Sequence, residues 1–253
     1  MFPKVINIGP ITFHLYGLII ALAIYIGYLL AQKRAHLYKI PPKLFEDPLL
    51  MLPLILALVG ARIYHVLDYW QIYQQSPASI LKIASGGLGI WGALAGLLLG
   101  FWVVSKVRKI SLLSILDLAA PSVLLAQAIG RFGNYVNQEA FGPPTNLPWG
   151  VYISPENRPL QFLSATHFHP TFFYEAIIDF VFFVVLLHLS KPSTVRGRTF
   201  ALYLIFYSIG RFIVEFLRTD TATVGAVKIA QVLAALAFVI GLFLLKKDWK
   251  IRG

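Results

Sequence analysis

The sequence contains no cysteine. Disulfides, enzyme thiolate nucleophiles and cysteine metal sites are therefore excluded, and any thiol in its chemistry must arrive with a partner. Charge is scarce as well: 13% of the 253 residues are charged, roughly half the share of about 25% in soluble domains. The 6 histidines are scattered with no His-Glu-x-x-His or similar ligand spacing, so neither a metal nor another cofactor is expected. No Gly-x-Ser-x-Gly serine of an intramembrane protease is present. Low-complexity sequence and internal repeats are also absent.

What the chain has in excess is apolar sequence: 58% of residues are hydrophobic and the mean hydropathy is +0.72. One polytopic membrane domain over residues 1–253 is the natural reading, all-α, because a spanning helix satisfies its own backbone polar groups. Seven runs reach the length of about 17–25 residues that a bilayer requires: Thr12–Gln32, Pro48–Asp68, Gly87–Ser105, Leu112–Gly130, Thr171–Leu189, Thr199–Leu217 and Val224–Leu245. The fourth holds Asp117 and Pro121. The first is too long, and lacks the small-x-small site, for a cleaved signal peptide. A net charge of +11 in a soluble protein would suggest nucleic acid. Here no nucleic-acid partner is expected, because lysine and arginine collect in short loops beside the apolar runs and in the C-terminal tail. These are Lys33, Arg34, Lys39 and Lys43, then Lys106, Arg108 and Lys109, then Lys191, Arg196 and Arg198, then Lys246, Lys247, Lys250 and Arg252. The positive-inside rule then puts the N-terminus outside and the C-terminus in the cytoplasm, as an odd number of spans demands. The largest non-spanning piece, residues 131–170, falls on the outer side between spans four and five. Its prolines and glycines read as turns and Val151-Tyr152-Ile153 as a short strand, together a small extracytoplasmic cap.

With this topology the polar groups near membrane ends converge on the outer level. Tyr16 opens span one. Arg62 lies in the outer half of span two. Span four delivers Arg131, Asn134, Asn137 and Glu139, and span five begins with His169, Tyr174 and Glu175. Tyr207, Arg211, Glu215 and Arg218 share one face of span six at i, i+4, i+8 and i+11. Each has a plain structural alternative. Arg211 and Glu215 fit mutual neutralisation, Arg62 fits snorkelling, and Tyr16 and Tyr207 fit interfacial aromatics. Glu175 and Asp179 share a face, which fits a protonated or hydrogen-bonded role. Asp117 fits helix packing or a cap, and Gly92-x-x-x-Gly96 fits close helix contact rather than a phosphate cradle. The joint placement favours function. A charge near the bilayer centre costs about 2.5–3.5 kcal/mol on insertion scales, and arginines held at one depth suit an anionic head group. A transporter or channel for an anionic substrate is the alternative. It predicts polar residues through the full membrane depth, whereas the inner half is nearly all apolar.

The stretch Gly130-Arg131-x-Gly133-Asn134-x-x-Asn137-x-Glu139-x-x-Gly142 resembles the signature of the bacterial phosphatidylglycerol–prolipoprotein diacylglyceryl transferases. His169-Pro170-Thr171-x-x-Tyr174-Glu175, Tyr207-x-x-x-Arg211-Phe212-x-x-Glu215-Phe216-x-Arg218, Tyr16-Gly17 and Gly60-Ala61-Arg62 resemble further motifs of that family. One departure stands out: Trp91 occupies a position where many members carry histidine, so a histidine base is not available there. The resemblance implies transfer of a diacylglyceryl group from phosphatidylglycerol to the lipobox cysteine of a prolipoprotein signal peptide, in the bacterial inner membrane. The expected roles follow from it. Arg131 and Arg211 hold the phosphate, and Asn134 and Asn137 orient head-group oxygens. Glu139 or Glu215 helps deprotonate the thiol or positions the arginines. Tyr16 and Tyr207 supply hydrogen bonds, and Arg62, Arg218 and His169 complete the substrate site.

Overall fold

The computed structural model describes residues 3–9, 11–83, 86–190, 196–219, 221, 223–225 and 227–252. Ser85 of the glycine run and Lys191 of a basic loop lie outside them. The chain is mostly helical. Six helices are long and apolar enough to cross a membrane among the described residues, and the chain is a multi-pass membrane protein. It divides into two compact units, Met1–Leu37 with Leu116–Gly253, and Tyr38–Ile115.

The first unit opens with a hairpin of β1 (Val5–Ile8) and β2 (Ile11–His14), turning through Gly9 at a φ of +60°. Helix α1 follows, Leu15–Arg34. The expected first span began at Thr12. Thr12–His14 are instead drawn into the hairpin, where Thr12 Oγ1 donates to Asn7 Oδ1 at 2.9 Å. Helix α5 (Leu112–Asn137) passes through Pro121 without a break. Its buried Ala120 and Leu124 meet Phe183 and Leu186 of α6 (Thr171–Leu189), with Leu202, Tyr203 and Phe206 of α7 (Arg198–Glu215) around them. The expected fourth span ended at Gly130, but the helix continues for two more turns. Val136 is still buried there, so the apolar face that drives the helix outlasts the polar residues between. Arg131, Asn134 and Asn137 therefore stand on a helix and not in a loop. Gln138, in the left-handed region at a φ of 56°, ends it.

Residues 138–170 make a small body packed on the start of α6 and the end of α5. β3 (Val151–Tyr152) pairs antiparallel with β4 (His167–Phe168), the short strand that the sequence suggested. Phe141, Ile153, Phe168 and Phe172 form its buried core. Gln138 Oε1 accepts from Ser154 N at 2.7 Å and Asn157 Nδ2 at 3.1 Å, which ties the end of α5 to this body. Asp117 serves as a cap across the chain: it accepts from Gly197 N at 2.6 Å and Phe200 N at 2.9 Å at the start of α7. Helix α7 carries Arg198, Arg211 and Glu215 within its 18 residues. The last expected span began at Val224. That residue lies in a second small hairpin, β5 (Thr223–Val224) with β6 (Val227–Lys228), and α8 runs from Ile229 to Arg252.

The second unit is built on α2 (Leu52–Asp68) against α4 (Ile90–Arg108), with the one-turn helix α3 (Trp70–Tyr73) between them. Gly92, Gly96 and Gly100 line the contact. A Cβ on Gly92 would strike the Gly60 carbonyl, on Gly96 the Leu56 carbonyl, and on Gly100 the backbone of Pro53. The glycines are helix contacts, as their spacing suggests. Asp47 pairs with Arg108 in this unit. The Arg108 hydrogen bond, with one from the Leu49 amide, holds the Asp47 carboxyl below its ordinary range.

Candidate functional site

In the first unit a chain of charge-assisted hydrogen bonds crosses three elements. Its centre is Glu175 on the first turns of α6, only 2% exposed. Arg131 Nη2, from the end of α5, donates to Glu175 Oε1. Arg211 Nη1, from the last turns of α7, lies 3.4 Å from both Glu175 oxygens. Arg131 Nη1 also reaches Asn134 Oδ1 at 3.5 Å, and Asn134 Nδ2 donates to Glu139 Oε1 at 2.8 Å. At the other end Arg211 Nη2 pairs with Glu215 Oε2 at 2.7 Å, and Thr221 Oγ1 donates to Glu215 Oε1. The order is thus Glu139, Asn134, Arg131, Glu175, Arg211, Glu215, Thr221. Ion pairs removed from water this far need further hydrogen bonds to hold, and Asn134 and Thr221 supply them at the two ends.

The local fold explains the placement. On α5, Arg131 and Asn134 are three residues apart, so both lie on one helical face. Gly133 is small because the Tyr16 ring packs against it: a Cβ there would meet Tyr16 Cε2 at 2.8 Å. Gly142 lies where a Cβ would meet the Leu217 carbonyl at 2.7 Å and Thr171 Cγ2 at 2.9 Å. The Gly142 amide donates to the His169 carbonyl at 2.8 Å, and Thr171 Oγ1 to the Ala140 carbonyl at 2.5 Å. These bonds dock the second half of the motif onto the start of α6, four residues before Glu175. Lys228 Nζ donates to the carbonyls of Glu215 at 2.5 Å and Arg218 at 2.9 Å, a cation at the C-terminal end of α7.

Of the residues expected from the sequence, Arg131, Asn134, Glu139, Arg211 and Glu215 join one network. Tyr16 stands beside it, and Tyr207 sits one turn before Arg211 with its ring stacked on Tyr203. Asn137 is the last residue of α5. His169 Nδ1 lies 3.2 Å from the Tyr174 hydroxyl, which also accepts from Trp149 Nε1 at 2.9 Å. Arg218 follows α7. Of the two expected thiol bases, Glu215 is wholly buried between Arg211 and Thr221, whereas Glu139 is exposed and accepts one hydrogen bond, from Asn134. Arg62 belongs to the second unit. Its nitrogens donate to the carbonyls of Ile80, Gly86, Gly87, Ser79 and Lys82, and its guanidinium covers the Tyr73 ring. Arg62 thereby clamps these loop carbonyls. Trp91 opens α4 and is 44% exposed. Glu175 and Thr221 are the network members to which the sequence reading gave no site role.

The family of prolipoprotein diacylglyceryl transferases matches residues 3–246. This chain belongs to that family. A phosphatidylglycerol–prolipoprotein diacylglyceryl transferase of Nostoc sp. is 44% identical over 246 residues, covering 95% of this chain and 87% of the relative. One from Acaryochloris marina is 39% identical over 254 residues, covering 97% and 92%. One from Halalkalibacterium halodurans is 38% identical over 242 residues, covering 94% and 83%. All of the network's residues fall within the part matched to the prolipoprotein diacylglyceryl transferases.

Proposed function

We infer that this chain transfers the diacylglyceryl group of phosphatidylglycerol to the lipobox cysteine thiol of prolipoproteins, giving a thioether and glycerol phosphate. The observation that carries this reading is the family match across residues 3–246. The paired arginines and the cysteine-free sequence agree with it, since the nucleophile then belongs to the substrate. Arg131 and Arg211 hold the donor phosphate and stabilise the charge that collects on the leaving glycerol phosphate. Asn134 and Asn137 orient head-group oxygens, with Glu139 fixing Asn134. Glu215 fixes Arg211. Tyr16, Tyr207, His169 and Arg218 border the head group. The enzyme is a single integral domain of the bacterial cytoplasmic membrane, in contact with the bilayer and with prolipoprotein signal peptides. Helix α7 is the sixth of seven spans in chain order: its Arg211 and Glu215 pair inside the protein, and its 18 residues are close to the 19 of α4. The N-terminus, the end of α5 from Arg131 and the body of residues 138–170 face outward, and the C-terminus lies in the cytoplasm.

The test is to incubate a lipobox peptide with the protein in phosphatidylglycerol vesicles and weigh the peptide by mass spectrometry. A gain of one diacylglyceryl group is expected, and none when Arg131→Ala or Arg211→Ala replaces the wild type at equal folding. No mass gain with the wild-type protein overturns the reading, and near-normal turnover in either variant overturns the arginine roles.

A further inference from the structure

Glu175 holds the N–H groups that a lipid phosphate needs. Arg131 and Arg211 both donate to its carboxylate. A phosphodiester that takes both forks face-on competes with Glu175 for the N–H groups of Arg131 Nη2 and Arg211 Nη1, and its charge competes with the Glu175 carboxylate for the same two cations. What the released carboxylate then meets is set by the protein. Asp179 lies one turn further along the same face of α6, 3% exposed, with no hydrogen-bond partner for Oδ2 among the described residues. From α5, Arg131 faces this pair of carboxyl groups, with Gln127 one turn before it. From α7 come Tyr203, Tyr207 and Arg211, with Glu215 beyond. Among the described residues the only cations in this set are the two arginines. Once phosphate has taken both, two carboxyl groups share a buried site with no counterion. Such a pair is relieved by holding one proton between them.

We propose that Glu175 is the general base for the substrate thiol, set free to act when the lipid phosphate displaces it from Arg131 and Arg211, and that Asp179 is the positioning residue that shares the proton. This rests on the diacylglyceryl transfer inferred above. In the step, the S–H bond breaks and its proton goes to a Glu175 oxygen. The sulfur electron pair forms the S–C bond to the glycerol carbon of the diacylglyceryl group. The bond from that carbon to the phosphate oxygen breaks, and its electron pair stays on the phosphate between the two arginines. When glycerol phosphate departs with the proton, Glu175 returns to the arginines. The base is thus released only with donor lipid in place.

The experiment compares wild type, Glu175→Gln and Asp179→Asn in phosphatidylglycerol vesicles. Peptide transfer is measured from about pH 7 to about pH 9.5, alongside phosphatidylglycerol affinity and thermal unfolding in detergent. Glu175→Gln is expected to bind the lipid at least as tightly as wild type and to transfer on the order of a hundredfold more slowly at neutral pH. Its deficit should narrow about tenfold per pH unit towards the thiol pKa near 8.5, where the substrate ionises unaided. Asp179→Asn is expected to show a smaller deficit with the same narrowing. A folded Glu175→Gln that loses lipid affinity, or whose deficit is the same at every pH, overturns the proposal. So does a rate near that of wild type. If Glu175→Gln does not fold, the Asp179→Asn profile decides alone, and a profile parallel to wild type overturns it. Wild type inactive towards the peptide would instead overturn the transfer reading itself.

Discussion

Arg131 uses its planar fork in two directions at once, with one nitrogen to Glu175 and the other to Asn134. A lysine keeps the charge but not the fork. Arg131→Lys should therefore fold, because a cation still faces Glu175, yet lose transfer by on the order of a hundredfold, the scale of removing one aimed donor at a developing oxyanion. Turnover on a lipobox peptide, with melting temperature as control, checks this; a rate within a few-fold of wild type would leave charge alone as the requirement. At this scale the sequence was legible where spacing is local. Arg211 and Glu215 stand four apart and pair as that spacing suggests. Glu175 was not legible as the centre of the site, because its partners are 44 and 36 residues away and no local pattern marks them. Gln138 was missed for a similar reason: it fills an unassigned place in the motif, and its work is to accept bonds from Ser154 and Asn157.

Helix positions followed from apolar run length, and only some of their ends did. Thr171–Leu189 coincides with α6, since Pro170 precedes its first residue and the run is unbroken. The end of α5 was misplaced because glycine, arginine and asparagine read as a loop, whereas burial of Val136 and packing of Tyr16 on Gly133 keep the backbone helical. The hairpins before α1 and before α8 were absorbed into apolar runs, because hydropathy alone does not separate a short strand from a helix end. The glycine stripe of α4 was legible and has a sharp consequence. Gly96→Val would drive its Cβ into the Leu56 carbonyl, a backbone atom that cannot swing aside. Parting α2 and α4 by even a fraction of an ångström forfeits contacts along the whole seam, and overpacking of this kind typically costs about 1–3 kcal/mol. Lower thermal stability in detergent is expected, with Gly96→Ala milder than Gly96→Val. A Gly96→Val protein as stable as wild type would show that the helices do not meet through this stripe.

At the level of the whole molecule the question is which side each loop faces, and the absence of cysteine makes it directly measurable, because a single introduced thiol is labelled without background. The basic loops predict cytoplasmic positions for Lys43 and Arg196, and the body between α5 and α6 is then outside, with Leu160 at its surface 89% exposed. The decisive position is Val227, exposed in β6 between α7 and α8. If α7 crosses, Val227 shares the outer side with Leu160; if α7 does not, Val227 lies with Lys43. The crossing is energetically reasonable despite three charged residues. Arg198 belongs at the cytoplasmic end among the basic loop residues, while Arg211 and Glu215 neutralise each other and are shielded by Glu175 and Thr221. In intact spheroplasts a membrane-impermeant maleimide is therefore expected to label Leu160→Cys and Val227→Cys, and to label Lys43→Cys only after permeabilisation. Labelling of Val227→Cys with the cytoplasmic set would remove α7 from the spans, put both termini on one side, and take Arg211 away from the leaflet in which the donor lipid must meet an exported thiol.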